Sequence, residues 1–275
     1  MRALVLNDDL AVVNGRDGTF LVNRHDQFIG AAIEKYGEYS GIEAGALGVL
    51  TQPNDVVIDV GANIGALTVG LAKRVGPQGQ VYAFEPQRAC YALLQAQLAL
   101  NQLRNVYAYN EALGAVEELQ WLPAQDYRRQ GNFGAVALNK QQGQHHEAVR
   151  VRKLDDACGH LQTVGLIKID VEGMEREVIA GGRELIGRTK PLLYVENDLP
   201  ERSPALIALI QELGYRLWWH VTPLFNARNA FGVEENPYGD RASFNMLCVH
   251  PAKPMPQHSL PEIKTPNDPH PMART

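Results

Sequence analysis

The sequence is short of cysteine, of long apolar runs and of surplus positive charge. Its three cysteines, Cys90, Cys158 and Cys248, are odd in number and far apart, so they suggest neither a disulfide framework nor a zinc site. No apolar run approaches the roughly 18 to 20 residues of a membrane-spanning helix. The net charge of −5 argues against a nucleic-acid-binding surface, which needs an excess of Lys and Arg on one face.

What remains has the composition of an ordinary globular protein. Of its 275 residues, 45% are apolar and 21% are charged. We expect a cytoplasmic protein, because Asp8 and Asp9 interrupt the N-terminus before a signal-like apolar core could form. We predict an N-terminal unit over residues 1–50, a main domain over 51–250 and an extended proline-rich tail over 251–275 without a core of its own. The sequence leaves open whether the chain forms a homo-oligomer.

Alternating strand and helix patterns run through most of the chain. They predict a doubly wound, mostly parallel α/β sheet, with an antiparallel pair of strands at 215–221 and 244–249 on its edge. Residues 4–22 have the pattern of a small antiparallel hairpin or meander, and two short cap helices are expected between residues 27 and 50, with a break at Gly37. A single helix is predicted over 173–186. Residues 113–150 form an irregular strand-and-loop insertion.

A glycine turn follows the first buried strand and leads directly into a helix. The turn has the pattern D-x-G-x-N-x-G, from Asp59 through Gly61 and Asn63 to Gly65. A dinucleotide-binding turn would have glycines at positions occupied here by Asn63 and Ala66, and no lysine follows as in a phosphate-binding loop. A turn of this kind before a helix N-terminus is typical of a nucleotide-sized site.

An acidic residue ends the next strand. Glu85 lies 20 residues after Gly65, where a carboxylate can accept hydrogen bonds from both hydroxyls of a ribose. No basic residue in the turn could neutralise a pyrophosphate, and Asp59 would repel one. An adenosine ligand with a positive charge fits better, which favours S-adenosylmethionine.

The other predicted strands also end in acidic or amide side chains. Because ligands of a doubly wound sheet bind at the carboxyl ends of its strands, these side chains should line one negative crevice that suits a sulfonium cation. They are Asp59, Glu85, Asn110, Glu111, Asp170, Glu172, Glu196, Asn197 and Asp198.

Methyl transfer to a hydroxyl also requires that the hydroxyl lose its proton. We predict Asp170, Glu172 and His220 as catalytic residues, His220 being the best neutral base by residue type. A Mg²⁺ ion could hold the acceptor oxygen instead, with Asp170, Glu196 and Asn197 as ligands. Two alternatives stay open: Glu172 could cap the helix that follows it, and His220 could be an ordinary edge-strand side chain.

Aromatic and amide side chains are the predicted acceptor-binding groups, because rings stack on sugars and amides fix hydroxyls. They are Asn132, Phe133, Asn197, Trp218 and Phe225. Strand alternation turns Trp218 and its neighbour Trp219 to opposite faces, so at least one of them should belong to the core.

Several of these stretches together resemble the FkbM-type family of S-adenosylmethionine-dependent methyltransferases. The resemblance rests on D-V-G-A-N-I-G at 59–65, F-E-P at 84–86, N-E-A-L-G at 110–114, K-I-D-V-E-G at 168–173 and Y-V-E-N at 194–197, and it extends over about residues 25–250. It implies a class I methyltransferase fold and usually O-methylation of a sugar or natural-product hydroxyl.

The resemblance also assigns parts of the donor site. Gly61, Asn63 and Gly65 would contact the donor's amino-acid part, Glu85 the ribose and Glu111 the region of the adenine. The predicted cofactor site is completed by Asp59, Thr68, Pro86 and Asp170. Related sugar methyltransferases hold Mg²⁺ with acidic strand ends, but this chain lacks their run of aspartates.

Two other functions compete with this interpretation. A protein that binds S-adenosylmethionine without turnover would keep the same turn, although carboxylates at every strand end argue against a decayed site. A nicotinamide-dependent oxidoreductase is disfavoured by Asn63 and Ala66. The predicted partner is a small-molecule or saccharide acceptor, such as a polysaccharide precursor or a natural product.

Overall fold

The computed structural model describes residues 2–274, and its N-terminal part is a small sheet followed by two helices. Strands β1 (Ala3–Val5), β2 (Leu10–Asn14) and β3 (Thr19–Asn23) form the predicted antiparallel meander. Helices α1 (Ile29–Tyr36) and α2 (Gly41–Leu50) follow. They are separated at Gly37, whose φ of 73° caps the end of α1 in the left-handed conformation that glycine adopts at little cost. The predicted break is therefore confirmed.

The rest of the chain alternates strands and helices. The strands are β4 (Val56–Val60), β5 (Gln80–Phe84), β6 (Val106–Tyr109), β7 (Ala112–Gly114), β8 (Glu118–Pro123), β9 (His146–Lys153), β10 (Leu166–Ile169), β11 (Leu192–Glu196), β12 (Arg216–Pro223), β13 (Ala242–Val249) and β14 (Glu262–Ile263). The helices are α3 (Thr68–Val75), α4 (Arg88–Leu100), α5 (Leu154–Cys158), α6 (Glu175–Ala180), α7 (Arg183–Thr189) and α8 (Ser203–Glu212), and a short 3₁₀ helix covers Pro271–Arg274. No helix within residues 2–274 is both long and apolar enough to cross a membrane.

Eight strands form the main sheet, in the order β14-β12-β13-β11-β10-β4-β5-β6. The five strands from β11 to β6 are parallel. The chain builds outward from β4 in one direction and from β10 in the other, so the point where the strand order reverses lies between these two neighbours. A doubly wound sheet binds its ligands in the crevice at this point.

The predicted antiparallel pair is present, but its position corrects the expectation. Strand β13 lies inside the sheet, antiparallel to both β11 and β12, and the edge is formed by β14, which is antiparallel to β12. Residues 244–249 are all buried, and a strand covered on both faces can take an interior position. The proline-rich tail supplies β14, and its Ile263 is only 2% exposed in the main core.

Two other segments differ in detail from the sequence pattern. The helix predicted over 173–186 is divided into α6 and α7 at Gly181 and Gly182. A Cβ on Gly181 would overlap the carbonyl oxygen of Gly114, and one on Gly182 would approach Leu154 Cδ2 at 2.5 Å, so both glycines allow close packing. The insertion at 113–150 contributes β8 and much of β9 to a second sheet of order β7-β9-β8.

The centre of the main sheet is apolar on both faces except for one pair of charges. Ile58 and Ile167 belong to the core on one face, and Val57 and Leu166 to the core on the other. Asp59 of β4 and Lys168 of β10 are paired in register and are 0% and 3% exposed. Lysine and aspartate are almost never fully buried unless paired, so this pair marks a special position directly below the reversal point.

Candidate active site

A cleft opens at the carboxyl ends of β4, β5, β10 and β11. We call it the switch-point cleft, and its unfilled space is about 1020 Å³ including the open mouth. Its polar and charged lining comprises Tyr39, Glu43, Asn63, Glu85, Gln87, Glu111, Lys168, Asp170, Glu172, Glu196 and Ser243. Its remaining lining comprises Ile29, Val60, Gly61, Ala62, Ala66, Leu67, Phe84, Pro86, Ala112, Leu113, Gly134, Val136, Leu138, Val171 and Met174.

The glycine turn forms the floor of this cleft. Gly61 has φ of +79°, and a Cβ there would overlap the carbonyl oxygen of Asp170, so glycine is required both by conformation and by space. The N–H groups of Gly61 and Ala62 both donate to the carbonyl of Phe84 at 3.0 Å, which ties the turn to β5. Gly65 also has a positive φ, and its packing is against Leu94 of α4.

Glu85 is held at the end of β5 by two backbone hydrogen bonds. Asn63 N donates to its Oε2 at 2.8 Å, and Gln87 N donates to its Oε1 at 2.7 Å. Each oxygen keeps a further lone pair for a ligand. Burial raises the pKa of Glu85 to about 7, although the two N–H donors act to lower it. The side chain is thus oriented before any ligand arrives.

Asp59 and Thr68 lie beneath the turn, which corrects their prediction as direct cofactor contacts. Both are 0% exposed, and Thr68 Oγ1 donates to Asp59 Oδ2 at 2.6 Å. Asp59 Oδ1 is 3.4 Å from Lys168 Nζ. A charged residue at the end of strand β4 suggests a contact with a ligand, and the sequence does not reveal that Asp59 is instead paired with the buried Lys168.

Carboxylates form one wall of the cleft. Burial, with a further contribution from Asp170, raises the pKa of Glu43 to about 7, although Lys168 acts to lower it. Desolvation and the charges of Asp170 and Glu175 raise the pKa of Glu172 to about 7, although more than a third of that residue is open to solvent. Burial and Asp170 likewise raise the pKa of Glu196 well above its usual range. Among the described residues that line the cleft, Lys168 is the one basic side chain.

A second cavity, which we call the side pocket, continues from the cleft. It is lined by Phe28, Ile29, Ala32, Tyr39, Asn132, Gly134, Ala135, Glu172, Glu196, Asp198, Leu224, Tyr238, Ala242 and Ser243. Tyr39, Glu172 and Glu196 line both cavities. Glu172 has φ of +53°, a strained left-handed conformation for a residue other than glycine, and such strain is concentrated at functional sites.

Three predicted residues lie away from both cavities. His220 Nδ1 is 2.8 Å from the hydroxyl of Tyr194, and burial lowers the pKa of this histidine. Trp218 is 5% exposed and packs in a core cluster with Leu247. Phe225 packs edge-on against Tyr36, with ring centroids 5.7 Å apart. None of the three lines either cavity, so their positions do not support His220 as catalytic base or Trp218 and Phe225 as acceptor contacts.

Of the other residues predicted to bind the acceptor, Phe133 and Asn197 are buried against neighbouring side chains, and Asn132 borders a cavity. Phe133 is 5% exposed and packs on Tyr127, with ring centroids 4.7 Å apart. Asn197 is 3% exposed, and its amide donates to Ser203 Oγ at 2.9 Å. Asn132 does line the side pocket.

The predicted magnesium site is not assembled. Asn197 directs its amide N–H groups to Ser203 and to the sulfur of Met246, and Asp170 is 3.4 Å from the ammonium of Lys168. Over residues 2–274, no group of three or more His, Cys, Asp or Glu side chains is arranged to hold a metal ion. Because Mg²⁺ binds to oxygen ligands, an amide that presents its N–H groups to neighbours and a carboxylate paired with Lys168 do not fit it.

Comparison with known proteins identifies the family. The model of the methyltransferase FkbM domain matches residues 59–217. The chain belongs to the FkbM methyltransferase family. This confirms the resemblance, and the order and directions of the parallel strands confirm the class I methyltransferase fold.

Three curated relatives show how far the similarity extends. Methyltransferase 1 of Beauveria bassiana is 31% identical over 152 residues, which cover 47% of this chain and 59% of that protein. The 2-O-methyltransferase NoeI of Sinorhizobium fredii is 25% identical over 183 residues, covering 60% and 73%. The 31-O-demethyl-FK506 methyltransferase FkbM of Streptomyces tacrolimicus is 26% identical over 207 residues, covering 65% and 79%. The match thus spans less than two thirds of the Beauveria protein.

Most residues predicted for the donor site line the switch-point cleft. They are Gly61, Asn63, Glu85, Pro86, Glu111 and Asp170. The carboxylate of Glu111 is held by Arg152 at 3.2 Å and Arg150 at 3.4 Å, both from the second sheet. The sequence analysis did not place Glu43 or Lys168 in the site. The signal that could have identified them is a single charged residue in an otherwise apolar element, helix α2 for Glu43 and strand β10 for Lys168.

Proposed function

We propose that this member of the FkbM family is an S-adenosylmethionine-dependent O-methyltransferase that acts on a sugar, a polysaccharide precursor or a natural product. The observation that carries the proposal is the continuity of the two cavities, which share Glu172 at their common wall. The switch-point cleft would bind the donor, and the side pocket would bind the acceptor. Two relatives, a 2-O-methyltransferase and a 31-O-demethyl-FK506 methyltransferase, support transfer to oxygen.

The residues of the cleft fit S-adenosylmethionine, which when bound supplies a methyl group on a positively charged sulfur. Gly61 allows a ligand to approach the backbone where a Cβ would not fit, and Glu85 has lone pairs free for ribose hydroxyls. The carboxylate of Asp170 favours a cation, and Glu43 and Glu196, whose pKa values are raised by burial, would ionise more readily beside one. A dinucleotide would bring its pyrophosphate into the same negative surroundings.

Glu172 is the proposed general base. It lies at the wall shared by the two cavities, and its pKa of about 7 suits proton removal near neutral pH, a contribution of roughly 10²–10⁴ in rate. Asp170 lies beside it in the cleft and would help orient the reacting groups. Because the side pocket has Glu172, Glu196 and Asp198 in its lining, it should accept neutral or cationic hydroxyl compounds in preference to phosphorylated ones.

Calorimetry and label transfer test this function. The protein should bind S-adenosylmethionine and S-adenosylhomocysteine more tightly than NAD, and tighter binding of NAD would overturn the donor assignment. Methyl-labelled donor should then transfer its label to an oxygen of some compound in a panel of hydroxylated acceptors or in a cell extract. Donor binding without transfer to any acceptor would instead favour a non-catalytic binding protein.

A substitution separates the proposed base from the donor site. Glu172→Gln should lower the rate of transfer about 100-fold or more and leave donor affinity within about threefold, because only the proton acceptor is lost. Glu201→Gln, at an exposed position after β11, is the matched control and should leave both quantities unchanged. Normal turnover by the Glu172 variant would remove this residue from the chemistry.

A further inference from the structure

The buried ammonium of Lys168 lies at the floor of the switch-point cleft. The side chain is 3% exposed. Its Nζ donates to the carbonyl of Gly61 at 3.1 Å and lies 3.4 Å from both Asp59 Oδ1 and Asp170 Oδ2. The contact with Gly61 is a hydrogen bond, whereas the two carboxylates lie at ion-pair distance and Asp59 Oδ1 has no hydrogen-bond partner, so Lys168 supplies the charge that balances it.

These partners belong to three different parts of the site. Asp59 is in β4, Gly61 begins the glycine turn, and Asp170 directly follows β10. Asp59 also accepts the hydroxyl of Thr68, the first residue of α3, so the far end of the turn is bound to the same network. The two strands are neighbours at the point where the sheet reverses, and Lys168 joins the two sides of the crevice between them.

The charge of Lys168 is retained in this buried position. Burial acts to lower its pKa, but the carboxylates of Asp59, Asp170 and Glu43 outweigh that effect and raise it above its ordinary value. A buried ion pair is weak evidence for a stabilising role, since apolar residues of similar size are often at least as stable. Stability alone therefore does not account for a lysine here.

We propose that Lys168 is a positioning residue for methyl transfer, which fixes the Gly61 carbonyl and the Asp170 carboxylate at the floor of the cleft and thereby sets the affinity for the donor. The identity of that donor rests on the function proposed above. The positioning of the turn does not depend on it, because the contacts are present within the chain itself.

A double substitution separates positioning from simple charge balance. Lys168→Met alone leaves Asp59 buried without its partner and should destabilise the fold. Lys168→Met combined with Asp59→Asn removes both charges, and the new amide can still accept the hydroxyl of Thr68. We expect this double variant to melt near the wild-type temperature yet to bind S-adenosylmethionine at least tenfold more weakly, with faster amide hydrogen exchange over residues 60–66.

Each outcome of this experiment decides the proposal. Wild-type exchange over residues 60–66 in the double variant, or wild-type donor affinity, would show that Lys168 only balances Asp59. If the wild-type protein binds no S-adenosylmethionine but the exchange still rises in the double variant, the positioning role stands and the proposed function fails.

A second variant covers the case in which the double variant does not fold. Lys168→Arg keeps the charge but moves its donors. It should bind the donor at least threefold more weakly than wild type with the same faster exchange, and wild-type values for both would overturn the proposal.

Discussion

The switch-point cleft and the side pocket share Glu172 and Glu196, but the chain builds them in different ways. Most of the cleft comes from strand ends and the turns that directly follow them, which parallel pairing brings to one edge of the sheet. Apart from Asp198, the side pocket draws its other residues from 28–39, 132–135 and 224–243, which are far apart in sequence. The cleft therefore depends on backbone geometry, whereas the side pocket depends on how separate segments pack.

Side-chain contacts hold those separate segments together. Glu38, in the turn between α1 and α2, is 7% exposed and accepts hydrogen bonds from Arg16 Nε at 2.5 Å, Asn226 Nδ2 at 2.6 Å and Ala230 N at 2.9 Å. The hydroxyl of Tyr36 donates to the carbonyl of Glu235 at 2.9 Å. The long loop between β12 and β13 is thus fastened to the N-terminal unit, and changes there should affect the acceptor and spare the donor.

The largest effect is expected where the cleft depends on backbone alone. Gly61→Ala introduces a Cβ into the carbonyl of Asp170 at φ of +79°, so the turn must move. We expect donor binding to fall below detection in calorimetry and the free energy of unfolding to fall by more than about 3 kcal/mol. Gly45→Ala is the matched control, because its Cβ would meet no atom within 4 Å and helix α2 should gain about 0.5–1 kcal/mol. Retained donor binding in the Gly61 variant would show that the cleft does not depend on the backbone geometry of the glycine turn.

A smaller effect is expected where the cleft depends on a side chain held by backbone donors. Glu85→Gln replaces one of the two acceptor oxygens with an NH₂ group, which leaves either Asn63 N or Gln87 N without its acceptor. Donor affinity should fall roughly 10- to 100-fold by calorimetry, about 1.4–3 kcal/mol. Glu184→Gln, an exposed change in α7, should have no effect. If the Glu85 and Glu184 variants bind the donor with the same affinity, Glu85 does not contact the donor.

The same contrast explains how much could be predicted from the sequence. Gly61, Glu85 and Asp170 could be assigned to one site because parallel strands end at the same edge of a sheet. Asp59 could not, since the sequence does not show that β10 pairs it with Lys168. The packing of Trp218 in the core could not be foreseen either, because β12 is buried on both faces at that point and alternation does not reveal which face meets a ligand.

The side pocket was largely beyond prediction for a different reason. Its walls form only when loops distant in sequence pack together, and no periodic pattern encodes such contacts. The break between two helices at Gly37 could be predicted, but the partners of Glu38 in residues 224–243 could not. Asn132 lines the side pocket, whereas Phe133 packs on Tyr127 and does not line it.

Loosening the loop contacts should affect the acceptor alone. Glu38→Ala leaves Arg16, Asn226 and Ala230 without their acceptor, which should cost about 1–3 kcal/mol of stability. The KM for an identified acceptor should rise about tenfold, while the Kd for the donor stays within about twofold. Glu235→Gln, on the same loop with its side chain 74% exposed, removes only a surface ion pair and should change neither constant. A large loss of donor affinity in the Glu38 variant would show that the two cavities are not independent.

The smallest effect concerns Glu43, the one carboxylate of the cleft supplied by a cap helix. Its pKa is about 7 in the folded protein against an ordinary 4.5, so folding favours the protonated form. The stability that Glu43 contributes is therefore complete below about pH 4.5 and is lost as the pH rises through 7. Glu43→Gln stays neutral at every pH: urea unfolding should give the variant and wild type similar stabilities at pH 4 and make the variant about 1–2 kcal/mol more stable at pH 8. Glu201→Gln should have the same stability as wild type at both pH values. A Glu43 variant that is no more stable than wild type at pH 8 would mean that the charge of Glu43 is already balanced by Lys168.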